Sequence, residues 1–408
     1  MSLGNNPGNG DASQMHESSL SYLGHTNGRD AQRFGIKQAD RLSHIYIIGK
    51  TGTGKSTLIE TLICQDIAAG RGCALLDPHG DLVERIAGTL PDRRAGNVVY
   101  FDVSDPHIGY GYNPFVRVSP GLRPLVASGL MDVFKKMWDD SWGPRMEHIL
   151  RNALLALLDQ PHATMPDILT LLTSRSFRER AIDNIANKQV RAFWQSEFPK
   201  YSFRLQADGI SPIQNKVGAF LADPKLRRIL TREDGQIRLR QIMDEGKVLL
   251  INLSQGKIGA DSASLFGGLL VTSMGSAAYS RAYTPESRRR PFFLYVDEFQ
   301  SFTTLAFANM LAGLRKFGVG TVLAHQYLHQ LDTDLRHAVL GNAGTLIAFR
   351  LGAYDARQLA AELEPAFDEH DLLTLANHDI YLKLMIDGAP SRPFSATTIA
   401  PTSIRGDR

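Results

Sequence analysis

The 408 residues carry 45 basic and 42 acidic side chains, a formal charge of +3, so no global basic field advertises nucleic acid and any such contact must be local. With 43% hydrophobic and 21% charged residues, the composition is that of a soluble globular protein, large enough for one big α/β domain with an insertion, and excludes a collagenous or wholly disordered chain. The two cysteines, Cys64 and Cys73, sit in apolar runs and are too few for a disulfide framework, which reads as a reduced, cytoplasmic protein.

In chain order, residues 1–24 are rich in Gly, Asn and Ser and read as a mobile tail. Ile45-Tyr46-Ile47-Ile48 is a short β-prone run, Gly49 to Ser56 is a glycine-dense loop, and Thr57 to Ala69 has helical spacing of Leu58, Leu62 and Ile63. Short apolar runs recur at Cys73–Leu76, Val98–Phe101, Val248–Leu253, Phe292–Val296, Val319–Ala324 and Leu346–Phe349. Continuous rather than alternating runs mark strands buried on both faces, so the fold is α/β with a mostly parallel sheet. Between Pro114 and about Glu245 the strand signal gives way to helix-period segments such as Met146–Leu158 and Met165–Leu172. The resulting organisation is a tail (1–24), the first part of a nucleotide-binding domain (25–115), an all-helical insertion (116–245), the second part of the nucleotide-binding domain (246–390) and a C-terminal tail (391–408). The insertion's arginines, among them Arg175, Arg178, Arg191 and Arg228, fit a solvated helical face as well as a binding surface. The apolar stretch from Leu265 to Tyr279 is broken by Ser273, Ser276 and glycines, and no run reaches membrane-spanning length.

Gly49-Lys50-Thr51-Gly52-Thr53-Gly54-Lys55-Ser56 satisfies G-x-x-x-x-G-K-[ST] between a strand and a helix, the context that pattern requires. Its glycines permit backbone torsions that turn successive N–H groups inward at a positive helix end, forming a nest for phosphate oxygens. Gly49, Lys50, Thr51, Gly52, Thr53, Gly54, Lys55, Ser56 and Thr57 are therefore expected to bind ATP, with Lys55 on the β- and γ-phosphates and the Ser56 hydroxyl on Mg²⁺. Phe292 to Val296 ends in Asp297-Glu298. Asp297 is expected to share the Mg²⁺ shell, and Glu298 to orient and deprotonate a water, which favours hydrolysis over nucleotide binding alone. Thr321 to Ala324 runs into His325-Gln326, placing an amide at a strand's C-terminal end, where it could sense the γ-phosphate or the attacking water. His325 and His329 have i, i+4 spacing, but Gln326 stands where a zinc protease needs Glu, so no zinc site is expected. Asp77-Pro78-His79-Gly80-Asp81 reads as a turn beside the nucleotide edge. Phosphoryl transfer gains from a guanidinium supplied by a neighbouring subunit, and Arg315 and Arg350 compete for that role.

With these motifs in this order the chain resembles the HerA/FtsK superfamily of RecA-like motor ATPases, and within it the TraG/TraD-type conjugative coupling proteins of type IV secretion. The supporting segments are Ile47–Ser56, Asp77–Asp81, Tyr112-Asn113-Pro114-Phe115, Val296–Phe299, Gly313–Gly318, His325-Gln326 and Phe349-Arg350-Leu351-Gly352. They span residues 24–395. The resemblance implies a homo-hexameric ring with ATP between subunits, DNA, single- or double-stranded, in the central channel, and an all-helical domain inserted in the motor. It also implies Arg315 as the arginine acting in trans and Arg350 as a second phosphate contact. Coupling proteins of this type usually begin with transmembrane helices and this sequence has none, so the expectation is a protein that docks peripherally on membrane-embedded secretion components, or a cytosolic HerA-like DNA motor. A protein-transport or pilus-assembly ATPase of a secretion system would share the same nucleotide chemistry.

Overall fold

A computed structural model describes residues 20–116 and 118–401. The strands are β1 (Leu20–Thr26), β2 (Arg33–Lys37), β3 (Ile45–Ile48), β4 (Gly72–Asp77), β5 (Val98–Asp102), β6 (Val248–Asn252), β7 (Phe292–Val296), β8 (Val319–His325), β9 (Thr345–Ala348), β10 (Asp379–Lys383), β11 (Met385–Ile386), β12 (Ala389–Pro390) and β13 (Phe394–Thr398). All but β11 and β12, which pair with each other, form one 11-stranded sheet in the order β2-β1-β13-β10-β9-β3-β8-β7-β4-β6-β5. From β9 to β5 every pairing is parallel. From β9 back to β2 every pairing is antiparallel.

The parallel strands are the continuous apolar runs of the sequence, and β3, β4, β6, β7, β8 and β9 are buried at every position. Alternate residues serve opposite faces. Ile45, Ile47, Leu75, Leu250 and Val322 pack beneath helices α1 (Lys55–Ala68) and α2 (Asp81–Gly88) through Leu58, Leu62, Ile63, Val83 and Ile86. Tyr46, Ile48, Leu76, Ile251 and Val296 belong to the other core. That core runs without a break into the helical segment, taking in α3 (Arg123–Met137), α4 (Pro144–Leu158), α5 (Phe203–Ala222), α6 (Ala260–Tyr279) and α7 (Leu305–Leu314). Among the described residues between Pro120 and Glu245 there are helices and no strand; the single bridge Gly111–Gln236 ties the start of this segment to its end. Several of its arginines are tied to backbone carbonyls. Arg178 donates to Leu171 O and Leu172 O, Arg191 to Ile185 O, and Arg228 to Asp105 O.

Two sequence expectations are corrected. The tail boundary at 24 cuts through β1, and the stretch from 391 read as a tail contains the whole of β13; both are strands of the main sheet. Phe394–Thr398 carries little apolar signal because its order comes from pairing: it lies between β1 and β10 and bonds to both, with Ala396 fully buried and Phe394 edge-on to Phe34 at 5.2 Å. The tail readings for residues 1–19 and 402–408 lie outside the described residues. Among the described residues no helix is long and apolar enough to cross a membrane.

A buried ion network fastens the antiparallel edge to α1. Arg41 reaches Asp66 with two bonds of 2.7 and 2.9 Å, Arg71 adds one of 2.6 Å, and the Tyr295 hydroxyl donates to the same carboxylate at 2.6 Å. Burial pushes the Asp66 carboxyl up, but Arg41 and Arg71 outweigh it and hold it below its ordinary value.

Candidate nucleotide-binding site

β3 delivers the chain to the C-terminal edge of the sheet at Gly49, where a Cβ would sit 2.5 Å from the Cβ of Phe349. Gly52 and Gly54 have φ of 76° and 121°, torsions that side-chain-bearing residues resist, and these let the loop curl before α1 begins at Lys55. The curl is held from outside: Lys50 N donates to Arg350 O at 2.9 Å and His378 N to Thr53 O at 2.8 Å. From inside, the Thr53 hydroxyl donates to Lys50 O at 2.7 Å. The first amides of α1 have no intrahelical acceptor and carry the positive end of the helix dipole, so the loop presents N–H groups and positive potential to an anion.

The Lys55 ammonium lies across this loop, 2.6 Å from Gly49 O and 3.1 Å from Lys50 O. Burial lowers its pKa, while Glu298 and Asp297 oppose that shift. The Ser56 hydroxyl, at the second position of α1, is 3.3 Å from Asp297 Oδ2. Burial pushes the Asp297 carboxyl up to about 6, with Glu298 and Asp77 adding to the effect and Lys55 opposing it. A hydroxyl facing a carboxylate is the hard oxygen pair that suits Mg²⁺, and the amides with Lys55 suit a triphosphate, so the residues present fit both groups.

Glu298, at the end of β7, takes a left-handed φ of 47° that turns the chain sharply back. Both of its carboxylate oxygens accept amides: Oε1 from Gln326 Nε2 at 2.6 Å and Oε2 from Gln300 Nε2 at 2.8 Å. Gln326 Oε1 in turn accepts the Thr51 hydroxyl at 2.7 Å. A single chain of hydrogen bonds thus runs from the tip of the phosphate loop through Gln326 to the acid. The structure brings together Lys50, Thr51, Lys55, Ser56, Asp297, Glu298 and Gln326, and Thr57 follows in the first turn of α1.

The two arginines are placed differently. Arg350 borders the loop through its carbonyl, but its guanidinium is engaged by Leu375 O at 3.0 Å and Asn377 Oδ1 at 2.9 Å. Arg315 precedes β8, at the strand end opposite Gln326 and so roughly 20 Å away along the strand. It is not at the site of its own chain. His325 is a buried neutral residue: its ring meets the Tyr46 hydroxyl, and burial, with Lys55 adding to it, lowers its pKa to about 3. Asp77 of the Asp-Pro-His-Gly-Asp turn caps α2, accepting from Leu82 N at 2.9 Å and Val83 N at 3.1 Å.

Gln300 and His378 were not singled out from sequence. Gln300 lies two residues beyond Glu298 and reaches it only because the left-handed residue doubles the chain back, a torsion that Glu does not signal. His378, itself at φ 70°, backs the loop from a segment remote in sequence, and its Nδ1 would lie 2.8 Å from a Cβ at position 54.

Comparison with known folds agrees with this architecture. The unbound bacterial conjugative coupling protein TrwBdeltaN70 matches with a TM-score of 0.64 at 19% identity, covering 90% of this chain and 87% of that one. TrwB in complex with the non-hydrolysable ATP analogue ADPNP matches at 0.63 and 19% identity with the same coverage. VirB4 of Thermoanaerobacter pseudethanolicus matches at 0.64 and 17% identity, covering 98% of both chains. TrwB has also been solved with ADP and Mg²⁺. Comparison with curated protein sequences returns no significant match. The family model described as helicase HerA, central domain, matches residues 22–270, more than half of the sequence, and the chain belongs to that family.

Proposed function

We propose that this chain hydrolyses ATP with Mg²⁺, works as a ring of six identical subunits, and uses the cycle to move or couple DNA in conjugative or other type IV secretion transfer. One observation carries the reading: Lys55, Ser56, Asp297, Glu298 and Gln326, drawn from three strand ends, meet on one edge of the sheet, with Ser56 facing Asp297 and hydrogen bonds running from Thr51 through Gln326 to Glu298. The loop amides receive the phosphate tail, and Lys55 exchanges its contacts with Gly49 O and Lys50 O for phosphate oxygens. Mg²⁺ beside Ser56 and Asp297 would neutralise charge developing on the transferred phosphoryl group. Glu298 orients the attacking water and takes its proton. Gln326, bonded to both the loop and the acid, reports whether a γ-phosphate is present. Because Arg315 stands at the far end of β8, its place in catalysis is on a neighbour's nucleotide, with Arg350 as the nearer phosphate contact once released from Asn377. Docking on membrane-embedded secretion components follows the likeness to coupling proteins.

Purified full-length protein should hydrolyse ATP, faster with single- or double-stranded DNA at low salt, and Lys55→Ala and Glu298→Gln should each reduce turnover at least about a hundredfold. Hydrolysis unaffected by DNA but raised by a secretion component would replace DNA with a protein cargo. Absence of Lys55-dependent hydrolysis under any condition would end the enzymatic reading.

A further inference from the structure

The helical insertion touches the turn after Glu298 through a charged side chain. Lys136, in the last turn of α3, directs its ammonium onto Gln300 O and onto Thr303 O, the latter at 2.9 Å. These two carbonyls flank the turn that follows Glu298. The same turn is seated on α6, where Gly267 and Gly268 admit it: a Cβ at 267 would lie 2.4 Å from the ring of Phe302, and one at 268 would lie 3.3 Å from Phe302 O. Gln300 itself is lightly held. Its Nε2 bonds to Glu298 Oε2, while its own side-chain oxygen is buried with no partner among the described residues. The Gln300 backbone therefore answers to the insertion and its side chain answers to the acid.

We propose that Lys136 is a positioning residue through which the helical insertion restrains Glu298, by fixing the Gln300–Thr303 turn so that Gln300 occupies the carboxylate oxygen needed by the attacking water. With an amide on each oxygen, the Glu298 carboxylate is held in one orientation and its negative charge is stabilised, which makes it a weaker base. A shift of α3 that withdraws Lys136 frees the turn, lets Gln300 leave, and turns Oε2 toward water. The helical insertion and the hydrolytic centre are thereby coupled by a cation on two carbonyls. This inference rests on the hydrolytic reading above.

The test is steady-state ATP hydrolysis without nucleic acid, on the full chain, with melting temperature measured alongside. Lys136→Met and Gln300→Ala should each raise kcat roughly three- to tenfold with little change in KM, the size expected for losing one charge-assisted or amide restraint. Lys136→Arg should stay near wild type, Lys135→Met one position along α3 should have no effect, and the Lys136→Met/Gln300→Ala pair should exceed neither single variant. A kcat in Lys136→Met at or below wild type with unchanged melting temperature overturns the proposal, as does full additivity in the pair. If Lys136→Met melts early, Gln300→Ala decides alone. Wild-type protein that hydrolyses ATP while both variants match it removes this inference only; wild-type protein without Lys55-dependent hydrolysis removes the functional reading as well.

Discussion

His44 and His325 are buried and neutral, and they give the molecule an acid-sensitive interior. Burial lowers His44 to about 4, with Arg315 adding to the shift against the contact with Leu311 O, and lowers His325 to about 3. In the unfolded chain each takes up a proton near pH 6.5, while the folded chain refuses it until far lower pH, so the unfolded state binds more protons across that window and stability falls as pH drops. Asp297 acts in the opposite sense: its folded pKa of about 6 exceeds its unfolded value, which favours the folded state as pH falls below 6. Among these three groups two outweigh one, so together they contribute a loss on the order of 1 kcal/mol per pH unit between about 6 and 4. Equilibrium unfolding in denaturant should show full stability above pH 6.5 and this decline below it, with a shallower slope in His325→Gln. A slope unchanged by that substitution would show that the histidine is charged in the folded chain.

At the level of elements, the Arg41–Asp66–Tyr295 network joins the segment after β2, helix α1 and strand β7 in one buried cluster. Removing one partner leaves a buried charge uncompensated, so Asp66→Ala should cost about 3–5 kcal/mol in denaturant unfolding, and a loss below about 1 kcal/mol would mean that water reaches Arg41. The parallel strands were readable in the sequence because each is apolar at consecutive positions, and the phosphate loop because glycine spacing encodes its torsions. The antiparallel strands were not. Asp379–Lys383 buries only Ile380 and Leu382, and Phe394–Thr398 reads as polar coil, since both owe their order to neighbours distant in sequence. The same limit applied to the site. Lys55, Asp297, Glu298 and Gln326 stand at strand ends beside recognisable patterns, whereas Gln300, Lys136 and His378 acquire meaning only through a left-handed turn, a packed helix end and a returning segment.

For the whole molecule, the position of Arg315 makes each chain incomplete by the mechanism proposed here. Specific activity, measured as ATP turned over per subunit, should rise with protein concentration and then level off, more steeply than first order where rings assemble; Arg315→Ala should flatten that rise while leaving nucleotide affinity close to wild type. Turnover independent of concentration down to the monomer would place the full set of catalytic groups within one chain.

β13 lies between β1 and β10, so the earliest strand described is locked into the sheet by one of the latest. During synthesis, at about 5–20 residues per second, the β1–β2 hairpin must wait with an unpaired edge for tens of seconds while the rest of the chain is made. An open strand edge is an invitation to pair with other nascent chains. Residues 394–398 close that edge and, through Thr398 N on His378 O at 2.9 Å, also hold the segment that backs the phosphate loop, so the hairpin's partner and the loop's support arrive together.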